Sequence, residues 1–131
     1  MNTTKSTDYG AFLLRVSLGL IMIAHGAYLK LIVFGLPGTA QFFTSIGLPG
    51  PLAYLVVIAE TFGGIALILG IYTRYVALAL IPIALGATWV HLGNGWVFSN
   101  EGGGWEFPFF LVATLVVQSL IGSGAYAIKK S

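Results

Sequence analysis

Apolar residues fill this chain in four long blocks, separated by short breaks rich in glycine, proline or polar residues. The first block runs from about Gly10 to Leu31 and contains LLRVSLGLIMIAHGAYLKL. The second runs from about Leu52 to Leu69, the third from about Tyr75 to Leu92, and the fourth from about Phe107 to Ala127. A membrane helix needs ~20 mostly apolar residues to cross the hydrocarbon core. Each block meets or nearly meets that length. The pattern predicts a single domain over residues 1–131, an all-α membrane protein built as a bundle of four transmembrane helices.

The breaks between the blocks differ. GIYTR, between the second and third blocks, is tight enough to force those helices antiparallel. The first break, FGLPGTAQFFTSIGLPG, has Gly and Pro on both sides of Thr39 to Ile46. That stretch predicts a short interfacial helix lying flat on the outer leaflet. The third break, GNGWVFSNEGGGWEFP, places Trp96 and Trp105 where an aromatic belt would meet the headgroups. Gly19 and Gly26 share one helix face, as do Gly63 and Gly70, and small residues let membrane helices approach closely. Pro82 predicts a kink in the third span, with Gly86 one turn later.

Composition strengthens the membrane reading. Hydrophobic residues make up 57% of the 131 positions and charged residues 8%, against roughly 25% charged in an average soluble domain. Mean hydropathy is +0.93. So short a chain has too little interior to hide that apolar surface from water. The net charge of +2 is scattered, with no basic stripe, which argues against a nucleic-acid partner. The absence of cysteine excludes a disulfide, a CxxC pair, a thiolate-held iron–sulfur cluster and covalent c-type haem within the chain.

Charge also sets the expected orientation. Lys5, Arg15, Arg74, Lys129 and Lys130 fall on one side of a four-span bundle, and only Lys30 on the other, against Glu101 and Glu106. Basic residues favour the cytoplasmic side. Both termini are therefore expected in the cytoplasm, with the protein in a bacterial inner membrane. Lys5 before an apolar run resembles the start of a signal peptide, but Arg15 interrupts that run and no small-x-small cleavage site follows. Arg15 lies about one turn into the membrane, where its side chain can snorkel.

Three ionisable residues stand inside the spans: His25, Glu60 and His91. Such groups are costly in lipid and usually face the bundle interior. His25 lies ~9 Å and Glu60 ~12 Å below the outer end of its span, at ~1.5 Å per residue. His91 is near the outer surface. Lys30, Asn94, Trp105 and Glu106 cluster above them, so an outward-facing polar site is expected, with His25, Glu60 and His91 as catalytic candidates and the other four as cofactor-binding candidates. A carboxylate with imidazoles suits a quinone head group and its protons. The same trio is the one plausible metal-ligand set, and the two histidines could ligate haem. Each residue also has a plain structural reading: Glu60 and His25 as hydrogen-bonding glue between helices, His91 as an interfacial side chain, Gln118 as an interhelical partner.

The residues together resemble a known family. LLRVSLGLIMIAHGAYLKL is similar to the opening span of the DoxX family of small bacterial membrane proteins, with its arginine, His-Gly pair and later lysine. The likeness continues through FFTSIGLPGPLAYLVVIAETFGGIALILGIYTR and the loop HLGNGWVFSNEGGGWEFP, and covers all but the first few residues. The matching positions are Arg15, His25, Gly26, Lys30, Glu60, Thr73, Arg74, His91, Asn94, Gly103 and Glu106. The resemblance implies a four-span oxidoreductase subunit linked to the quinone pool or to thiol, sulfur or quinone stress. With no cysteine, any sulfur relay would need a redox partner protein. A non-enzymatic scaffold for such a partner and a small-molecule or metal transporter, acting as a homo-oligomer, are the competing readings.

Overall fold

The computed structural model describes residues 3–97 and 99–131. Among them there are five α-helices and no strand. Helix α1 spans Thr3–Ile23 and runs without a break into a π-helical segment, Ala24–Val33. Helices α2 (Leu36–Ser45), α3 (Leu52–Leu69) and α4 (Thr73–His91) follow, then a 3₁₀ turn at Leu92–Asn94 and α5 (Glu106–Ile121). The second expected span matches α3 end to end, and a helix occupies the first loop as expected, beginning earlier at Leu36 with Pro37 in its first turn.

Among the described residues three apolar helical stretches are long enough to cross a membrane: Thr4–Lys30, Leu52–Leu69 and Thr73–Asn94. Helix α5, with 16 residues, is about 24 Å long at ~1.5 Å per residue. The fourth block was expected to stay helical to Ala127. It stops at Ile121 because Gly122 turns the chain with φ 80°, and the remaining residues fold back across the end of the bundle.

The helices associate as two close pairs, α1 with α3 and α4 with α5. Glycine makes the first pair possible. A Cβ on Gly19 would lie 2.6 Å from the Gly64 carbonyl oxygen, and one on Gly64 would lie 2.7 Å from the Gly19 carbonyl oxygen. Neither site tolerates a side chain at this separation. Leu18 and Met22 of α1, Leu67 of α3, Ala77, Leu80 and Ala84 of α4, and Leu111 and Leu115 of α5 join the pairs in one core cluster.

Arginines close one end of the bundle. The last carbonyls of a helix have no intrahelical donor and carry partial negative charge. Arg15, fully buried, supplies donors to those of α3: one terminal nitrogen reaches the carbonyls of Leu67 (3.1 Å) and Ile68 (2.6 Å). Its other nitrogens donate to Ser123 (2.8 Å) and Ala125 (2.5 Å) in the returning tail. Arg74 does the same for α5, donating to the carbonyls of Ser119 (3.1 Å) and Leu120 (2.7 Å). The tail also pairs with the α3–α4 turn, where Tyr72 N–H donates to the Lys129 carbonyl and Lys129 N–H to that of Gly70. The snorkelling expected of Arg15 is therefore not seen. A guanidinium surrounded by carbonyl acceptors has no need to reach water. We call this the tail end, and the opposite end, formed by the π segment, α2, the start of α3 and the 92–105 loop, the chamber end.

Candidate functional site

The chamber end owes its polar residues to a change in helical winding. An α-helix stacks residues four apart through its hydrogen bonds, whereas a π-helix bonds residues five apart. The π segment Ala24–Val33 begins at the His25-Gly26 pair. It brings Lys30 into line above His25, and the ammonium donates to the His25 carbonyl at 3.3 Å across five residues. Segments of this kind are uncommon and recur at functional sites. Gly26 holds the segment against α3, since a Cβ there would lie 2.8 Å from the Glu60 Cβ. Thr39 of α2 ties the far side, with its hydroxyl 3.1 Å from the Lys30 carbonyl oxygen and 2.9 Å from that of Gly35.

This placement lets Lys30 reach Glu60. Lys30 Nζ lies 2.9 Å from Glu60 Oε1, with side chains 21% and 7% exposed. The approach lies outside hydrogen-bonding directions, so the buried Oε1 has a charge partner but no aligned donor. A carboxylate offers about four acceptor sites. Lys30 is the partner the described structure gives it, which leaves acceptor capacity beside the cavity that Glu60 lines.

Both histidines are fixed in the same way. His25 Nδ1 lies 2.9 Å from the Ile21 carbonyl, and His91 Nδ1 2.7 Å from the Ala87 carbonyl. A carbonyl only accepts, so Nδ1 carries the proton in each ring. In a neutral imidazole the other nitrogen, Nε2, is then an acceptor. The His25 ring also stacks on Phe107, with centroids 6.1 Å apart.

These four side chains line one large cavity. It measures about 1570 Å³ and lies between the two helix pairs where they diverge. A contiguous space of about 510 Å³ between α2 and the π segment shares His25, Lys30 and His91 with it. The rest of the wall is overwhelmingly apolar. Leu55 of α3, Trp89 of α4 and Phe110 of α5 line the cavity and are also 62%, 56% and 64% exposed. Exposed apolar side chains of α3, α4 and α5 thus border the chamber.

The 92–105 loop forms the chamber's roof. The side-chain amide of Asn94 donates to the Gly103 carbonyl (2.8 Å) and that of Asn100 to the Asn94 carbonyl (3.0 Å). Trp96 and Trp105 meet edge to face at 4.4 Å. Trp96, Gly103 and Glu106 line the cavity; Asn94 and Trp105 lie behind them and brace the loop. Glu106 opens α5, where the helix dipole favours an acidic side chain.

Of the residues singled out in the sequence, the structure brings His25, Lys30, Glu60, His91 and Glu106 to the chamber and leaves Asn94 and Trp105 outside its wall. Among the described residues no three histidine, aspartate or glutamate side chains gather closely enough to hold a metal ion. Sequence reasoning missed Pro82 and Gly86. Both were read as packing or kink residues, yet both face the chamber, and a Cβ on Gly86 would meet nothing within 4 Å. Pro82 and Gly86 one turn apart on the same helix face were the available signal.

The DoxX family profile matches residues 10–93. Over 125 residues the chain is 36% identical to "Putative oxidoreductase CatD" of Bacillus subtilis (strain 168), covering 95% of this chain and 87% of that protein. It is 34% identical over 94 residues to "Inner membrane protein YphA" of Escherichia coli (strain K12), covering 66% of this chain and 65% of that one. It is 27% identical over 128 residues to "Inner membrane protein YqjF" of the same strain, covering 96% and 94%. No solved structure matches it significantly.

Proposed function

Since this membrane protein belongs to the DoxX family, we propose that it is an oxidoreductase subunit that exchanges electrons with the membrane quinone pool at the chamber. The observation that carries this reading is the Glu60 carboxylate, ion-paired to Lys30 on the wall of an otherwise apolar cavity. In this reading α5 completes four crossings, α2 lies at the membrane interface and both termini are cytoplasmic. The gathering of Lys5, Arg74, Lys129 and Lys130 at the tail end supports that orientation, because basic residues favour the cytoplasmic side. The chamber then faces the periplasmic half of a bacterial inner membrane, the compartment named for two of the relatives.

The residues present fit a quinone. Ligand cavities of ~300–1,000 Å³ accept drug-sized molecules, so about 1570 Å³ has room for a head group and part of a tail. Lys30 would donate to a quinone carbonyl, and the Nε2 atoms of His25 and His91 would accept from a quinol hydroxyl. Bound there, a quinone supplies two-electron chemistry coupled to two protons. Glu60 is the acceptor for a hydroxyl proton, and Lys30 holds it in place. His25 Nε2 is a second acceptor, oriented by its Nδ1–H bond to Ile21. The apolar wall keeps water from competing for these groups.

The test is a reduced-minus-oxidised absorbance spectrum, with extraction of bound quinone, on protein purified into lipid nanodiscs. The expected result is bound quinone that responds to reductant, and its loss in Glu60→Gln together with quinone-linked turnover. A Glu60→Gln protein that keeps its helicity, its quinone and its turnover refutes the assignment.

A further inference from the structure

We infer that Glu60 sets the charge selectivity of the chamber: by neutralising Lys30 it makes the chamber accept uncharged, hydrogen-bonding heads on apolar bodies, taken from the bilayer, and reject anions. The inference rests on the chamber being the working site, but not on redox chemistry.

Three observations lead to it. First, among the described residues Lys30 is the one lysine or arginine that lines the cavity, and its ammonium stands 2.9 Å from the Glu60 carboxylate. The pair sums to zero in a wall that is otherwise almost wholly apolar. An anion drawn into such a place loses its hydration and finds no uncompensated positive charge in return. Glu106, which also lines the cavity, brings no positive charge. Secondly, the polar groups that remain suit a neutral head. Glu60 has unused acceptor sites, each histidine offers Nε2 as an acceptor, and Lys30 directs one of its three donors to the His25 carbonyl while facing Glu60 as a charge partner without an aligned hydrogen bond. A hydroxyl that donates and accepts satisfies these without adding charge. Thirdly, Leu55, Trp89 and Phe110 border the chamber and are exposed on the apolar flank of their helices, which favours entry from lipid. Small water-borne oxyanions, including those of sulfur, are poor candidates on both charge and route.

The selectivity is a property of one carboxylate and is therefore invertible. Glu60→Gln keeps the shape and leaves Lys30 uncompensated in a low-dielectric wall, where an unpaired charge attracts a counter-ion far more strongly than at a surface. The chamber should then prefer anionic amphiphiles.

Photolabelling in phosphatidylcholine nanodiscs tests this. Two diazirine probes of equal chain length are compared, a 4-alkylphenol (uncharged) and an alkylsulfonate (anionic), and labelled peptides are mapped by mass spectrometry. In the wild type the phenol should label chamber-wall segments 79–91 and 107–113 at least about tenfold more than the sulfonate, as expected where a desolvated anion has no partner. In Glu60→Gln the ratio should reverse. The double variant Lys30→Met/Glu60→Leu, which removes both charges and so does not depend on the single variant folding, should keep the preference for phenol. Gly86→Phe should remove chamber labelling by filling open space. Equal labelling of the wild-type wall by both probes, or a ratio unmoved by Glu60→Gln, overturns the inference. Selective labelling without any bound quinone or redox signal would instead overturn the quinone-pool reading and leave the selectivity standing.

Discussion

Alanine at Gly19 and alanine at Gly86 should move stability in opposite directions, although both replace a glycine within a membrane-length helix. At Gly19 the new Cβ would stand 2.6 Å from both the Gly64 carbonyl oxygen and the Ile68 Cγ1 atom, roughly 0.8 Å inside the 3.4 Å at which ordinary contact begins. The blocking atom is backbone of a packed helix, so relief requires α1 and α3 to move apart. Overpacking of this kind costs about 1–3 kcal/mol. At Gly86 the new Cβ meets nothing within 4 Å. Both substitutions gain the same intrinsic helix preference, worth about 1 kcal/mol for Gly→Ala. That gain cancels in the comparison, so Gly86→Ala should exceed Gly19→Ala by the overpacking cost alone, about 1–3 kcal/mol. Reversible unfolding in mixed micelles, followed by far-ultraviolet circular dichroism, measures the difference. If Gly19→Ala proves as stable as Gly86→Ala, the helices are not in backbone contact at Gly64 and the argument for a tightly closed α1–α3 pair fails.

Arg15→Met should lower stability by several kcal/mol, since hydrogen bonds to a charged group are worth about 1.5–3 kcal/mol each and this side chain makes four; Arg15→Lys should recover only part of it, because an ammonium lacks the planar fork. Lys30→Met should be more destabilising than Lys30→Met/Glu60→Leu, because removing one member of a buried pair typically costs about 3–5 kcal/mol whereas removing both is near neutral; equal losses would mean that the pair is not coupled. Deleting residues 126–131 should raise amide hydrogen exchange at the α3–α4 turn, where Tyr72 loses its Lys129 acceptor; unchanged protection would show that the tail does not clamp that turn.

Much of the fold could be read from the chain because lipid imposes a simple rule on it. Block lengths and tight GIYTR gave α3, α4 and the start of α5 to within two residues, whereas α1 begins at Thr3, seven residues before the expected Gly10. The end of α5 was less legible: the fourth expected span extends through Gly122 into the SGAYA stretch, and the backbone shows that this stretch turns back to meet Arg15 and Asp8. The choice of His25, Glu60 and His91 came from the cost of burying ionisable groups, which is a property of residue type. Their relation to Lys30 did not, because an α-helical wheel sets residues 25 and 30 on different faces. No sequence rule used here announces a π segment, so the pairing of Lys30 with Glu60 could not be foreseen. Arg15 was misread for a related reason. Its acceptors are carbonyls of Leu67, Ile68, Ser123 and Ala125, and backbone acceptors leave no mark in the sequence.

The two ends of the bundle divide the work in a way that explains both. A helical bundle that keeps a cavity of about 1570 Å³ forgoes packing between its helix pairs over that length. The deficit has to be met elsewhere, and the tail end is where it can be. There Arg15 binds α1 to α3 and to the tail, Arg74 binds α4 to α5, and the tail itself crosses the α3–α4 turn. Each arginine satisfies carbonyls that would otherwise sit unpaired in lipid, where an unsatisfied backbone group costs several kcal/mol. With that end fixed, the pairs can diverge at the other without separating. Substitutions at the tail end should therefore lower stability while leaving the Lys30–Glu60 geometry and probe selectivity intact in whatever fraction remains folded. Gly86→Phe should instead change chamber labelling while leaving the tail-end hydrogen bonds in place. A variant such as Arg74→Met that unfolds readily yet labels with wild-type selectivity would fit this division. One that stays folded but loses the selectivity would show that the arginines position the chamber as well as hold the bundle.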